Sequence, residues 1–282
     1  MPSFGIYTNL QKDPQLCITR NVIEQLKKRG CPFYLDAEVA SALGMRQRAE
    51  DAAVEILLVL GGDGTMLAAA RKYANTGALL FGVNLGRLGF LLDAQFAELE
   101  KALDRILAGD YTVQERIMLE ASILEEDGSR RVLGHALNEA VVSQRDILRI
   151  SDALVLVNDK KVGSFRCDGI IISTPTGSTG YSLSAGGPVV EPTADMLIIT
   201  PICPHSLQSS SYVIGGDDTV YVRLRGAQEQ GALTLDGQEY FEFEPGEQVC
   251  LARSKVRAKF LKTTDQNFFA LLKEKLAEWS AK

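Results

Sequence analysis

Histidine is nearly missing from this chain: His135 and His205 are the only two in 282 residues, too few for a His-rich metal centre. Cysteine is sparse, odd in number and scattered over positions 17, 31, 167, 203 and 250, with no Cys-x-x-Cys pair. Neither a disulfide framework nor a thiolate metal site follows from that spacing, and free thiols in a reducing cytoplasm are expected. Long apolar runs are also missing, since no segment approaches the ~20 apolar residues that a membrane helix needs. The opening MPSFGIYTNLQKD lacks a basic start followed by an apolar stretch. Both absences point to a cytosolic protein with no membrane partner. There is no long basic run, and 30 Lys+Arg against 36 Asp+Glu give a formal net charge of −6, so a nucleic-acid partner is not expected.

What remains is an ordinary globular composition, with 46% hydrophobic and 23% charged residues, enough for a substantial core. The first third alternates two patterns. FGIYTN (4–9), CPFYLD (31–36), EILLVLGG (55–62) and ALLFGVN (78–84) read as strands that end in turn or polar residues. DPQLCITRNVIEQLKKRG, GTMLAAARKYANTG and QFAELEKALDRILAGD read as helices between and after them. This alternation predicts an α/β domain with a mainly parallel sheet. After about residue 111 the pattern becomes long strands around tight turns, the clearest at Asp127–Gly128 and at Asn158–Lys161. A β-rich, sandwich-like second domain follows. The expected division is 1–112 for the α/β domain and 113–263 for the β-rich domain. The segment 264–282 forms a C-terminal helix that docks back on the first domain through Phe268, Leu272, Leu276 and Trp279.

Several stretches carry chemistry. EILLVLGGDGTMLAAA places a lone carboxylate, Asp63, among Gly61, Gly62 and Gly64 at the end of a buried strand. Glycines allow sharp turns and close approach of a second molecule, and ligands of α/β sheets gather at strand carboxyl ends. The stretch lacks the spacing of a Walker A loop or of a Rossmann fingerprint. A carboxylate there can take a proton from a hydroxyl or help hold a metal ion bound to phosphates. In ALNEAVV, Asn138 and Glu139 interrupt an apolar strand, where neighbours point to opposite faces unless the backbone bulges. In SFRCDGIIISTPTGSTGYSLSAGGPVV, Arg166 and Asp168 precede a buried strand, and a segment of mostly Gly, Ser and Thr follows, rich in amides and small hydroxyls able to surround a polar ligand. TPICPHSLQSS (200–210) and LTLDGQEYF (233–241) say little separately.

Together, GGDGTML, ALNEAVV, RCDGIIISTPTGSTGYSLSAGGP, TPICPHSL and LDGQ resemble the NAD kinase family, whose members phosphorylate the adenosine 2′-hydroxyl of NAD to make NADP. The motifs occur in the family's order over most of the chain. One departure is Gly180, where the family usually has Ala, and the family's basic position after the Asn-Glu motif is matched by Arg149. The resemblance implies an ATP-dependent kinase with Asp63 as catalytic base, Gly64 beside the ribose and Phe90 stacked near adenine. It implies Asn138 on the adenine or its ribose, Glu139 on the adenosine ribose and Asp168 on the nicotinamide carboxamide. Thr179, Gly180, Tyr181, Ser182, Leu183 and Ser184 line the dinucleotide, Arg149 and Arg166 supply positive charge, and the Cys203 backbone and Gln238 complete the set. It also implies NAD and ATP, or polyphosphate, as partners, with Mg²⁺ arriving on the ATP rather than in a dedicated protein cage. A homodimer or homotetramer is implied, with Arg166 and Cys203 reaching a neighbouring copy's site. Two alternatives stand beside it: a lipid kinase of the diacylglycerol type, and a non-catalytic NAD(P) sensor.

Overall fold

The computed structural model describes residues 1–86, 89–125, 128–145, 151–205, 210–225, 230–265 and 267–280. Asp127, Arg149 and the Trp279 side chain lie outside the described part. The chain divides into two compact units, one of residues 1–115 with 258–282 and one of residues 116–257.

In the first unit the order is β1 (Phe4–Thr8), α1 (Cys17–Lys28), β2 (Phe33–Leu35), α2 (Ala37–Leu43), β3 (Ile56–Gly61), α3 (Asp63–Tyr73), β4 (Leu79–Asn84), β5 (Ala94–Gln95) and α4 (Leu99–Leu107). β2, β1, β3 and β4 lie side by side in that order, every pair parallel. All six residues of β3 are buried, as expected for a strand covered on both faces. α1 starts where the buried Asp13 carboxylate accepts the Ile18 and Thr19 amides at 3.2 and 2.8 Å. Its terminus is closed by Gly30 at φ 69°, a left-handed turn that glycine adopts freely. α4 turns Leu99, Ala102, Leu103 and Ile106 to the core, the three-to-four spacing of an amphipathic helix.

The second unit holds β7 (Arg130–Ala136), β8 (Glu139–Gln144), β9 (Ser151–Val157), β10 (Lys160–Cys167), β11 (Gly169–Ser173), α5 (Tyr181–Ser184), β12 (Met196–Ile202), β13 (Tyr212–Gly215), β14 (Val220–Leu224), β15 (Gly231–Leu235) and β16 (Glu239–Phe243). The chain passes between the units within two long strands, β6 (Thr112–Leu124) and β17 (Gln248–Lys262). One antiparallel sheet has the order β13-β12-β11-β8-β15-β16. A second run, β10-β9-β14-β17, is also antiparallel. Their facing side chains share one core, with Val142, Ile170, Ile172 and Leu233 from the first sheet against Val155, Val222 and Leu251 from the second. The Asn158 turn takes positive φ at Asn158 and Asp159, the twist that joins β9 to β10 without splaying them.

The last helix, α6 (Phe268–Ser280), belongs to the first unit, and the Phe268 ring lies 6.5 Å from that of Phe90. Its buried face differs from the expected stripe. Leu271 and Lys275 are buried, Phe268 and Leu272 are half-buried and Leu276 is 40% exposed, so the face runs 268, 271, 272, 275 and the expected Leu276 falls outside it. The ammonium of Lys275 stays paired by reaching Glu278 at 3.1 Å.

The approach to α6 is tied down by Asp93, a buried carboxylate. It accepts the Thr263 amide and hydroxyl at 2.8 and 2.6 Å and the Thr264 hydroxyl at 3.1 Å, with the Lys262 ammonium 3.6 Å away. Asp93→Ala would leave a buried amide and hydroxyl without that acceptor, a loss of about 2–3 kcal/mol. A lower urea midpoint in equilibrium unfolding is expected, and an unchanged midpoint would show that Asp93 does not anchor this segment.

Candidate functional site

In the first unit the site begins where β3 stops. Gly62 caps α3, and the Thr65 side chain folds back so that its Oγ1 accepts the Gly62 amide at 3.3 Å and the Asn9 side-chain amide at 3.2 Å. A Cβ on Gly61 would overlap that Thr65 side chain, which gives Gly61 an internal packing reason rather than a ligand's approach. A Cβ on Gly62 would run into Nζ of Lys12, so the lysine ammonium lies over the bare backbone at the start of α3. Among the described residues Lys12 makes no ion pair.

Asp63 is the first residue of α3 and is half-buried. Its Oδ2 accepts the Phe90 amide at 2.8 Å and its Oδ1 the Leu91 amide at 3.1 Å. Those bonds draw the loop after β4 across the carboxylate. Gly89 is glycine for that reason, because a Cβ there would overlap the whole carboxyl group. A carboxylate has about four lone-pair sites, so two amides fix its direction and leave the rest for another donor. Gly64 is exposed on the first turn, and Phe90 is half-buried beside Phe268.

In the second unit three segments distant in sequence converge. Glu139 opens β8, and Asn138 stands immediately before it. The 174–180 turn packs directly on them: the Asn138 carbonyl accepts the Thr174 amide at 2.8 Å, and a Cβ on Gly177 would overlap the Asn138 backbone. From the other side, Asp236 accepts three consecutive amides, Leu137 at 3.1 Å, Asn138 at 2.7 Å and Glu139 at 3.2 Å. Glu139 is 7% exposed, and its Oε2 has no hydrogen-bond partner among the described residues. Burial, and after it the negative charge of Asp236, pushes its carboxyl up to about 7. Asn138 Oδ1, Ser173 Oγ and Thr176 Oγ1 are likewise buried and unpartnered, and Ser173 sits opposite Glu139 in the β8–β11 register. Buried polar atoms without partners are rare in proteins, and a cluster of them marks a place for an external polar group.

The remaining expected residues surround this cluster or stand off it. A Cβ on Gly180 would lie 3.3 Å from Glu139 Oε2 and 3.4 Å from Asn138 Nδ2, so the methyl of the family's usual alanine would sit directly against this pair. Tyr181 is 45% exposed, and the pKa of its hydroxyl is raised by burial first and then by the charges of Cys203, Asp168 and Glu139. Ser182 is buried, its Oγ 3.1 Å from Thr200 Oγ1, and serves the α5–β12 packing. Thr179 bonds back to the Thr176 carbonyl at 3.4 Å, while Leu183 is half-buried and Ser184 exposed. Arg166 and Asp168 are exposed on either side of the buried Cys167. The Arg166 carbonyl accepts the His205 amide at 2.8 Å, and the Asp168 amide donates to the Ile202 carbonyl at 2.9 Å. Cys203 is exposed with φ 46°, and Gln238 is exposed at the end of the β15–β16 turn. Lys12, Gly89 and Asp236 were not singled out from the sequence. Asp236 had a visible signal in the Asp-Gly turn of LDGQ; the other two are recognised only through contacts made across the fold.

Comparison with known proteins agrees with these motifs. The model of the ATP-NAD kinase N-terminal domain matches residues 4–111, and that of the ATP-NAD kinase C-terminal domain matches residues 137–263. An NAD kinase of Caldanaerobacter subterraneus subsp. tengcongensis is 37% identical over 283 residues, covering 99% of this chain and 100% of its own. An NAD kinase of Desulforamulus reducens is 38% identical over 286 residues, with 99% and 98% covered. Among solved structures, an NAD kinase from Archaeoglobus fulgidus in complex with ATP superposes with a TM-score of 0.77 at 27% identity, covering 98% of this chain and 99% of that one. Yeast NADH kinase complexed with NADH reaches 0.86 over 98% and 88%, and at 21% identity this likeness speaks to the fold. Matched by both domain models and aligned with its relatives from end to end, the chain belongs to the ATP-NAD kinase family.

Proposed function

We infer that this enzyme transfers the γ-phosphoryl group of ATP to the adenosine 2′-hydroxyl of NAD, giving NADP, with Asp63 as the general base. The observation that carries this reading is the Asp63 carboxylate, aimed by the Phe90 and Leu91 amides at the end of a parallel strand beside bare glycine backbone. A sugar hydroxyl is a weak nucleophile, and phosphoryl transfer asks of the protein chiefly positioning, a proton acceptor and countercharge for the phosphates. Asp63 takes the hydroxyl proton as the bond to phosphorus forms. Lys12 and the first amides of α3 supply positive charge to the donor phosphates.

Mg²⁺ enters as part of the substrate, coordinated mainly by the ATP phosphates, which is how Mg²⁺ is commonly held. Among the described residues no group of three or more His, Cys, Asp or Glu side chains could hold a metal ion. In the second unit, Asn138 and Glu139 meet the adenosine part of NAD, and Asp168 with the 179–184 segment takes the rest of the dinucleotide. Glu139 Oε2 and the three other buried polar atoms without partners among the described residues, on Asn138, Ser173 and Thr176, support this assignment. Domain limits of 1–112 with 264–282, and 113–263, serve as a working division of these two tasks. Arg149, outside the described residues, is assigned to the same site by its place in the motif order.

Among the described residues no helix is long and apolar enough to cross a membrane. All five cysteines are free thiols, which supports a place in the reducing cytoplasm. The exposure of Arg166 and Cys203 supports their use by a neighbouring copy in a homodimer or homotetramer. A lipid acceptor and a non-catalytic sensor are both disfavoured by the family and by the retained, pinned Asp63.

Incubation with ATP, Mg²⁺ and NAD, followed by a dehydrogenase that requires NADP, tests the activity. NADP formation is expected, and its absence with NAD bound would leave the sensor. Asp63→Asn should lower kcat by about 10²–10⁴-fold, the usual span of a general base. Because the new NH₂ would face one of the two loop amides, calorimetric NAD binding and a melting curve must accompany the kinetics. Loss of kcat with binding and melting largely kept supports the base. Near-wild-type kcat would reduce Asp63 to a loop anchor. Lys12→Ala should raise KM for ATP several-fold with little change in KM for NAD, as loss of one phosphate contact would; an unchanged KM for ATP would remove Lys12 from the site. Sedimentation at assay concentration should show a dimer or tetramer, and a fully active monomer would refute the shared site.

A further inference from the structure

We propose that Asp236 is a positioning residue for the dinucleotide: its carboxylate clamps the bend that turns Asn138 and Glu139 to the same side, and it stands beside the Glu139 carboxyl that accepts a nucleotide hydroxyl. The proposal rests on the reading above that the Asn138–Glu139 pair meets NAD.

Neighbouring residues of a regular strand face opposite ways. Here they do not. Glu139 Oε2 and Asn138 Nδ2 lie 3.3 and 3.4 Å from one point, the place a Cβ of Gly180 would take. Asn138 stands just outside β8, and the chain bends at 137–138 before the strand begins. That bend turns three successive amides, those of Leu137, Asn138 and Glu139, toward the Asp236 carboxylate instead of into a sheet ladder. The Asp236 amide donates back to the Glu139 carbonyl at 2.9 Å, closing the clamp.

A bland role for Asp236 is available. It sits in the two-residue turn between β15 and β16 with φ 51°, followed by Gly237 at 63°, and the Gln238 amide donates to the Leu235 carbonyl at 2.9 Å. Asp-Gly suits such a turn, but Asn-Gly or Gly-Gly suits it equally. The turn therefore explains the backbone and leaves the carboxylate unexplained; the three amides explain the carboxylate. They also keep its charge next to Glu139, whose own carboxyl is more than nine-tenths buried with one oxygen unpartnered. A like charge at that position disfavours ionisation of Glu139, in the same direction as burial. The Tyr181 hydroxyl, which also feels Glu139, is itself raised and so neutral through this range.

A ribose hydroxyl donates best to the ionised carboxylate, so NAD affinity should rise several-fold between about pH 6 and 8 and then level, with a midpoint set by Glu139. Calorimetry with NAD alone keeps the titrating γ-phosphate of ATP out of the measurement. Glu139→Gln should abolish the inflection. Asp236→Asn keeps the turn and removes the charge, and should move the midpoint down by roughly half a pH unit or more. Asp236→Gly also keeps the turn, removes the carboxylate and should do the same, so a poorly folding Asn variant does not close the question. Melting curves report the clamp's structural share separately. If Glu139→Gln leaves NAD affinity and its pH course unchanged, the assignment of the pair to NAD fails and this inference with it. If Glu139→Gln abolishes the inflection but both Asp236 variants keep the wild-type midpoint, the assignment stands and the role given to Asp236 is overturned.

Discussion

A carboxylate bonded to successive backbone amides of a remote segment is the device on which the candidate residues of each unit depend. In the first unit Asp63 takes the amides of Phe90 and Leu91, and in the second Asp236 takes those of residues 137–139. Hydrogen bonds to a charged acceptor are stronger and shorter than neutral ones, and an amide so used cannot be left unpaired without cost. The device works in opposite senses in the two places. In the proposed reaction Asp63 is itself the reacting group, and the two amides fix the direction of its carboxylate. Asp236 is the support, and the groups it aims are Asn138 and Glu139.

The glycines follow from the same constraint. Gly89 is glycine because the Asp63 carboxyl occupies the space of its side chain, and Gly177 because the Asn138 backbone does. Gly61 yields to Thr65, whereas over Gly62 lies only the movable end of the Lys12 side chain. The family's glycine-rich motifs are in these positions close-packed junctions between segments, with ligand contact reserved for what the junctions leave open. Gly180 is the instructive exception, since its missing methyl opens space beside Glu139 without relieving any overlap.

Much of this was legible in the sequence. The four parallel strands, the α/β to β-rich change and the motifs around Asp63, Glu139 and Asp168 follow from periodicity, turn chemistry and motif order, all local signals. What was not legible depends on segments far apart in the chain. Lys12 is one of many exposed lysines until the fold lays it over Gly62. Asn138 and Glu139, read as strand neighbours, should diverge, and they converge because a residue nearly a hundred positions later bends the chain between them. The α6 stripe slipped for a related reason: a helix with many apolar residues has several plausible faces, and contacts such as Phe268 with Phe90 select one.

The position of the transferred phosphoryl group is decisive, because the proposed role of Asp63 is to deprotonate one hydroxyl of one ribose. Phosphorus–proton correlation NMR on the product formed from NAD and ATP tests this directly. The account predicts a new phosphomonoester whose phosphorus couples to the adenosine ribose H2′. Phosphorus coupled to H3′, or to a proton of the nicotinamide ribose, would contradict it.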